Sequence, residues 1–115
     1  MKVTFDNEFD FIPTWNKNQE DENPIKARFQ YLTTPQREKF ISIKYVGVET
    51  ETRKETSFDY EAILRASLIS LENCEINGIK ISNANDLIAV RGLSQLVREL
   101  ADHAAGMNIT PDLKN

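Results

Sequence analysis

The stretch Ile25-Lys26-Ala27-Arg28-Phe29-Gln30-Tyr31-Leu32-Thr33-Thr34-Pro35 joins the clearest strand pattern of this chain to its clearest helix start. From Ile25 to Tyr31, apolar residues alternate with polar ones, which is the period of a strand with one buried face. Thr34 then offers a side-chain oxygen to the free amides of a helix, and Pro35 fits the first helical position, where its missing N–H leaves no bond unmade. The stretch therefore predicts a strand that leads directly into a capped helix.

The length and composition predict a single folded domain. The chain has 115 residues, of which 40% are hydrophobic and 28% are charged, as in ordinary globular proteins. Within this domain we expect an acidic, aromatic-containing N-terminal segment (residues 1–24), a folded body (residues 25–106) and a frayed tail (residues 107–115). No apolar run reaches the roughly 18 residues of a membrane-spanning helix, and no signal-peptide pattern follows the N-terminus. We therefore expect a cytoplasmic protein that does not enter a membrane.

The charge is distributed unevenly along the sequence. The formal net charge is −4, which disfavours nucleic-acid binding. Residues 1–24 contain six acidic and two basic residues, whereas the other 91 residues contain twelve of each. The excess negative charge therefore belongs to the N-terminal segment.

The N-terminal segment combines this acidity with large apolar side chains. It shows no regular period from residue 7 to residue 24, yet it contains Phe9, Phe11 and Trp15. Such a segment either folds back over the sheet or docks on another protein, and we favour folding back. For the second case, we hypothesise that these three aromatic residues bind a partner by covering one of its apolar helices, while the neighbouring acids keep the complex in solution.

Periodicity assigns most of the remaining chain. After Pro35 there is room for one or two helical turns before strand-like alternation resumes at residues 41–45, and the polar run at residues 49–56 predicts a solvated loop. An apolar stripe with the helical period predicts a second helix that reaches residue 71 and is formed by Tyr60, Ile63, Leu64, Leu68 and Leu71.

Two further signals lie in the C-terminal half. Asn77-Gly78 sits between isoleucines and suits the positive φ angles of a type I′ turn. The best amphipathic pattern of the chain predicts a final helix, whose apolar face is formed by Leu93, Leu96, Val97, Leu100, Ala101 and Ala104. Together these patterns predict an α+β fold, in which a small antiparallel sheet from the N-terminal half packs against two or three C-terminal helices.

The sequence offers little support for catalysis. The single cysteine, Cys74, rules out an internal disulfide and is expected to be a small buried thiol. The single histidine, His103, adjoins Asp102, but neighbouring side chains on a helix point in different directions and form no catalytic pair. The known metal, phosphate and dinucleotide motifs are not found in the sequence. We therefore expect no enzyme and no catalytic, cofactor-binding or metal-binding residues, although the fold could still bring Cys74 and His103 together.

The order of these features resembles that of small proteins encoded among phage and prophage tail genes. The features that carry the resemblance are a short opening strand, Phe11–Asn18, an acidic stretch, the extended segment Ile25–Tyr31, and Leu32–Glu38. The later half, in which Glu75–Ile81 leads into two helices, is similar to tail assembly chaperones of long-tailed phages. The resemblance covers most of the chain, and it rests on the pattern and order of the elements.

This resemblance implies a non-enzymatic α+β protein in the cytoplasm of a bacterial host. Its partner would be the tape-measure protein, whose long apolar helices it keeps soluble, or the tail tube protein, which it helps to recruit. In that family an extra partner-binding part often lies in a C-terminal extension made by programmed frameshifting. This chain would then correspond to the shorter product or to a phage without the extension.

Other classes of protein stay open from the sequence alone. The first alternative is a structural phage component, such as a tail-completion or head–tail joining subunit. A small cytoplasmic enzyme or a regulator is the third, and the missing basic face disfavours a regulator that binds DNA. Self-association is possible in each case, because eight of the ten aromatic residues precede residue 46. The N-terminal half of the chain is therefore rich in large apolar side chains that a second copy could contact.

Overall fold

The computed structural model describes Lys2 and residues 4–5, 7–48, 51–106 and 111–112. These residues form an α+β fold, as the sequence predicted. The strands are β1 (Thr4–Phe5), β2 (Glu8–Phe11), β3 (Lys26–Gln30), β4 (Ile41–Val48), β5 (Glu51–Phe58), β6 (Leu68–Glu72), β7 (Glu75–Ile76), β8 (Ile79–Lys80) and β9 (Pro111–Asp112). The helices are α1 (Thr34–Phe40), α2 (Tyr60–Ser67), α3 (Ala84–Ala89) and α4 (Ser94–Gly106), and a 3-10 segment spans Trp15–Glu20.

The central sheet has three antiparallel strands in the order β2, β3, β6. β3 is the strand predicted from the alternating stretch, and its Ala27 and Phe29 are fully buried. Phe29 lies opposite Phe9 of β2 on one side and opposite Leu68 of β6 on the other. The sheet is therefore built around β3. It differs from the prediction of a wholly N-terminal sheet, because β6 comes from the C-terminal half.

The second helix is shorter than its apolar stripe predicted. α2 ends at Ser67, whose hydroxyl donates a 2.6 Å hydrogen bond to the carbonyl oxygen of Ile63 in the last turn. The next residues form β6, although the spacing of Leu68 and Leu71 also fits a helix. Pairing with β3 gives this backbone its hydrogen-bond partners and buries Leu71. The pairing with β3 therefore makes these residues a strand, although their apolar spacing is that of a helix.

The helices share one hydrophobic core with the central sheet. α2 lies against α4, and α3 contacts both helices and β6. The predicted apolar face of α4 is confirmed, since five of its six members are buried and Val97 is half-buried. Fully buried side chains from the sheet and the helices fill this core, among them Ala27, Phe29, Ile63, Leu64, Leu87, Leu96 and Leu100.

The start of α1 lies one residue earlier than predicted. The hydroxyl of Thr33 accepts a hydrogen bond from the Gln36 N–H at 3.3 Å, and the Gln36 side chain accepts one from the Thr33 N–H at 3.0 Å. This reciprocal pair is a capping box, so Thr33 is the N-cap. Thr34 is already helical, and Pro35 occupies the second helical position, where backbone N–H groups still have no intrahelical partner.

The polar run that predicted a solvated loop is mostly strand. β5 pairs with β4 residue by residue, from Ile41 opposite Phe58 to Val48 opposite Glu51. Residues 49 and 50 of the predicted loop lie outside the described part of the chain. Every side chain of β5 before Phe58 is exposed. A strand with both faces in solvent has no apolar alternation, so the sequence did not reveal it. We call the β4–β5 hairpin the arm.

The predicted Asn-Gly turn is confirmed. Asn77 and Gly78 have φ angles of +52° and +78° and connect β7 to β8, which is the signature of a type I′ turn. Of the predicted frayed tail, residues 111–112 pair antiparallel with β1. The other residues of that tail lie outside the described part of the chain.

Candidate functional site

The three aromatic residues predicted to bind a partner lie against the core. Phe9 and Phe11 are half-buried on β2, and Trp15 is half-buried at the start of the 3-10 segment. The Phe9 ring stacks on Phe29 with centroids 5.2 Å apart, and it approaches the Tyr31 ring at 4.8 Å. The N-terminal segment therefore folds back on the sheet, as we favoured. The partner-binding role of its three aromatic side chains stays a prediction.

Glu99 of α4 fixes the N-terminal segment to the helical layer. Its carboxylate accepts hydrogen bonds from the backbone N–H of Thr14 at 2.8 Å, from the Thr14 hydroxyl at 2.8 Å and from the N–H of Trp15 at 2.9 Å. Backbone N–H groups and hydroxyls need acceptors, and hydrogen bonds to a charged carboxylate are stronger than those to a neutral oxygen. The sequence did not indicate this contact, because Glu99 is simply one of the polar positions of an amphipathic helix.

Asn18 closes the connection between β2 and β3. Its side chain is only 7% exposed. The amide nitrogen donates hydrogen bonds to the carbonyl oxygens of Pro13 at 2.8 Å and Ile25 at 3.0 Å, and the amide oxygen accepts one from the Ile25 N–H at 2.7 Å. Buried polar groups need such partners. The aperiodic segment is thus held by specific side-chain bonds, which explains how it is ordered without a regular pattern.

Two acids of the same segment are paired with cations of β3. Arg28 lies 2.7 Å from Glu8 and 3.0 Å from Asp10, and Lys26 lies 3.6 Å from Asp10. These pairs are more than one-third exposed, so each contributes little to stability. They also reduce the negative charge that the segment presents to a partner.

His103 packs on the aromatic residues of the sheet. Its ring lies parallel to Phe11 within 10°, with centroids 3.8 Å apart, and 5.7 Å from the Phe9 ring. Burial lowers the pKa of His103 below its usual value, while the Glu99 carboxylate acts in the opposite direction. The neutral imidazole is therefore favoured, and the ring serves as a packing group between α4 and β2.

Cys74 is a buried thiol, with 1% of its surface exposed. Burial raises the pKa of this thiol, which disfavours the reactive thiolate. An open groove of about 530 Å³ runs past Cys74 and is also lined by Asn23, Leu71, Glu72, Asn73, Glu75 and Lys80. Among the described residues, no group of three or more histidine, cysteine or acidic side chains is placed to hold a metal ion.

The arm exposes apolar side chains along one face. Ile41, Ile43 and Tyr45 alternate along β4 and therefore share this face, on which Phe58 lies opposite Ile41. Ile41 and Phe58 are half-buried at the base of the arm, whereas Ile43 is 49% exposed and Tyr45 is 71% exposed. Apolar surface thus continues from the core outward into solvent.

The two strands of the arm differ in charge. Four of the eight residues of β5 are charged, whereas Lys44 is the only charged residue of β4. On the face opposite Tyr45, Lys44 lies across from Glu55, and Val46 lies across from Arg53. One face of the arm therefore carries the exposed apolar side chains together with Lys54, which lies opposite Tyr45, and the other face carries Lys44, Arg53 and Glu55 together with Val46. β5 is the charged strand, and β4 is nearly uncharged.

The alternation of β4 was predictable from the sequence, but its exposure was not. A period of two residues shows that side chains occupy two faces, but it does not tell which face meets the core and which meets solvent. The usable sequence signal for β5 was threonine, a good strand former, at positions 52 and 56. That signal was weak, because no typical hairpin turn pair such as Asn-Gly or Asp-Gly precedes these threonines in the sequence.

No protein-family model matches this chain, and neither a curated protein nor a solved structure matches it. In the described residues, no helix combines the length and the apolar character needed to span a membrane. The physical character of the arm is therefore the main structural guide to function.

Proposed function

We propose that this chain is a non-enzymatic phage tail assembly chaperone that binds the tape-measure protein and assists assembly of the tail tube in the bacterial cytoplasm. The observation that carries the proposal is the exposure of Ile43 and Tyr45 on a hairpin that extends the core surface into solvent. The order of sequence features, which resembles that of tail assembly chaperones, supports the same role.

An exposed apolar face on a sheet is suited to cover an apolar helix, since helices pack on sheets through such faces. Burying the exposed parts of Ile43 and Tyr45 contributes on the order of 1–3 kcal/mol for each copy of the arm. The charged residues on the opposite face stay in water, where they oppose further association of the complex. A single arm binds weakly on this scale, as a chaperone that must release its partner requires.

Co-expression with the genes that flank its own, followed by affinity purification of this chain, tests the proposal. Replacing both apolar side chains (Ile43→Ser with Tyr45→Ser) is expected to remove the tape-measure protein from the purified material. The matched control is Lys44→Gln with Glu55→Gln, which changes a cross-strand pair on the opposite face and leaves the net charge unchanged. Circular dichroism spectra of both variants establish that the body is folded.

Retention of the tape-measure protein by the serine variant, or its equal loss from the control, would contradict the proposed role of the apolar face.

A projecting hairpin also suits a permanent subunit contact, which is the reason to keep the structural alternative, a tail-completion or head–tail joining subunit. Mass spectrometry of purified virions separates the two roles. A chaperone is absent from finished particles, whereas a structural subunit is present in them.

A further inference from the structure

We propose that the free edge of β4 pairs with β4 of a second copy of this chain. The pairing is antiparallel and centred on Tyr45, so that the two arms form one four-stranded sheet. It rests on the proposed function in one respect: the joined sheet, with Ile43 and Tyr45 from both copies on one face, is the surface that covers the tape-measure protein.

The hydrogen-bonding pattern of the arm determines which groups of β4 point outward. The N–H of Asp59 donates a 2.9 Å hydrogen bond to the carbonyl oxygen of Phe40, and the register continues without a shift to the end of the hairpin. Hydrogen-bonded and non-hydrogen-bonded pairs alternate in an antiparallel ladder. The even-numbered residues of β4 therefore bond to β5, and the odd-numbered residues, among them Ile43, Tyr45 and Gly47, direct their N–H and C=O groups away from it.

The outer edge of β4 is open to another strand. The arm is a two-stranded sheet, and within the described part of the chain no third strand pairs with it. Charged residues on an edge strand discourage pairing with other chains. β5 carries four of them and is protected in this way, but β4 carries only Lys44. The edge of β4 is thus the one that accepts a strand.

The sequence of β4 is compatible with itself in an antiparallel register. The outward-directed groups require that odd-numbered residues face odd-numbered residues of the second copy. A register centred on Lys44 meets this condition, but it places two lysines directly opposite, which is unfavourable. A register centred on Tyr45 places tyrosine opposite tyrosine, Ile43 opposite Gly47 and Lys44 opposite Val46. No like charges then face each other.

The position of the body also favours the register centred on Tyr45. A register centred on Ile43 would recruit Ile41, which adjoins α1 at the base of the arm, and would draw the two bodies together. The register centred on Tyr45 uses residues 42–48 and leaves the base free. Strands of eight residues are about 26 Å long, and antiparallel pairing places the two bodies at opposite ends. Opposed residues of paired strands point to the same face, so the apolar surface doubles.

The purified full-length chain, without any partner, tests the pairing by light scattering coupled to size-exclusion chromatography over a range of concentrations. The wild type is expected to reach the mass of a dimer. Tyr45→Pro removes one outward N–H of β4 and is expected to give a monomer. The matched control is Lys54→Pro, because Lys54 lies directly opposite Tyr45 and its N–H points out of the other edge of the arm. This control is expected to remain dimeric.

Cysteine cross-linking tests the register without proline. Under mild oxidation, Tyr45→Cys is expected to form a disulfide-linked dimer, because the two positions face each other across the two-fold axis at a distance that a disulfide can bridge. Lys44→Cys and Ile43→Cys are expected to cross-link poorly. Native Cys74 can stay in place, since it is buried.

A wild type that is monomeric at all concentrations would overturn the pairing, and so would a dimer that survives Tyr45→Pro. Preferential cross-linking at position 44 or 43 would overturn the proposed register. The two proposals can fail separately. If only the chaperone role is wrong, the chain dimerises but does not bind the tape-measure protein. If the pairing is wrong, the purified chain without any partner does not form the expected dimer.

Discussion

The carboxylate of Glu99 accepts hydrogen bonds from both the backbone N–H and the hydroxyl of Thr14, although the two residues are 85 positions apart. Through this contact the last helix holds the loop that follows β2. The N-terminal segment is thereby held against the body at Thr14 and Trp15.

We predict that Glu99→Gln lowers the free energy of unfolding by about 1–2 kcal/mol, because hydrogen bonds to a charged acceptor are stronger than those to a neutral one. Urea unfolding measures the loss, and hydrogen exchange at Thr14 and Trp15 is expected to accelerate. The control is Glu61→Gln, since Glu61 makes an exposed ion pair with Arg65 at 3.6 Å. That pair contributes about 0.5 kcal/mol or less. Equal effects of the two substitutions would show that the Glu99 contacts are not special.

Replacing Phe9, Phe11 and Trp15 with alanine is predicted to destabilise the fold. These side chains are half-buried against the core, and truncation of a buried aromatic side chain costs about 3–5 kcal/mol at full burial. A combined loss of at least about 3 kcal/mol is expected by thermal unfolding. The matched comparison is Ile43→Ala with Tyr45→Ala on the arm, which is expected to change stability by less than about 1 kcal/mol. A folded triple variant that no longer binds a partner would instead support the prediction that these three side chains bind a partner.

Local patterns predicted the strand and the helix whose buried residues recur with a regular period, and the turn whose residue pair is typical of one turn type. β3, the Asn77-Gly78 turn and the apolar face of α4 were all found in this way. β6 was missed because Leu68 and Leu71 satisfy the helical period, and only the presence of β3 as a neighbour decides between helix and strand. β5 was missed because it has no buried face at all. In both cases the deciding interaction joins residues that are distant or lie across a hairpin.

The candidate site was predictable to a smaller extent. Large apolar side chains were noticed in the N-terminal segment, but Phe9 and Phe11 are packed on Phe29 and His103, whereas Tyr45 is exposed. The composition shows how many aromatic residues the chain has, but it does not show which of them are buried in the core. Burial depends on tertiary contacts, including those of Glu99, and these contacts cannot be predicted from the local sequence.

The capping box of α1 gives a prediction that separates adjacent threonines. Thr33→Ala removes the acceptor for the Gln36 N–H and is expected to cost about 1 kcal/mol. Thr34→Ala replaces an exposed residue inside the helix with a better helix former, so it is expected to be neutral or slightly stabilising. Denaturant unfolding of the two single variants measures the difference. Equal destabilisation by both substitutions would contradict the assignment of Thr33 as the N-cap.

The burial of His103 beside Phe11 is expected to make the stability of the protein depend on pH. Burial lowers the pKa of His103 in the folded state, against the opposing effect of Glu99, whereas the unfolded chain has a pKa of about 6.5. The unfolded state therefore binds the proton more readily as the pH falls. The contribution of the neutral ring is fully present above about pH 6.5 and is lost as the pH falls from there to the folded-state pKa.

We predict that the free energy of unfolding decreases more steeply between pH 7.5 and pH 5.5 in the wild type than in His103→Gln, which does not titrate. Because the chain has one histidine, the imidazole proton signal in NMR spectra reports its titration directly. The midpoint in the folded protein is expected below about 6.5. A midpoint above that value would show that attraction to Glu99 outweighs burial, and the wild type would then gain stability relative to the variant on acidification.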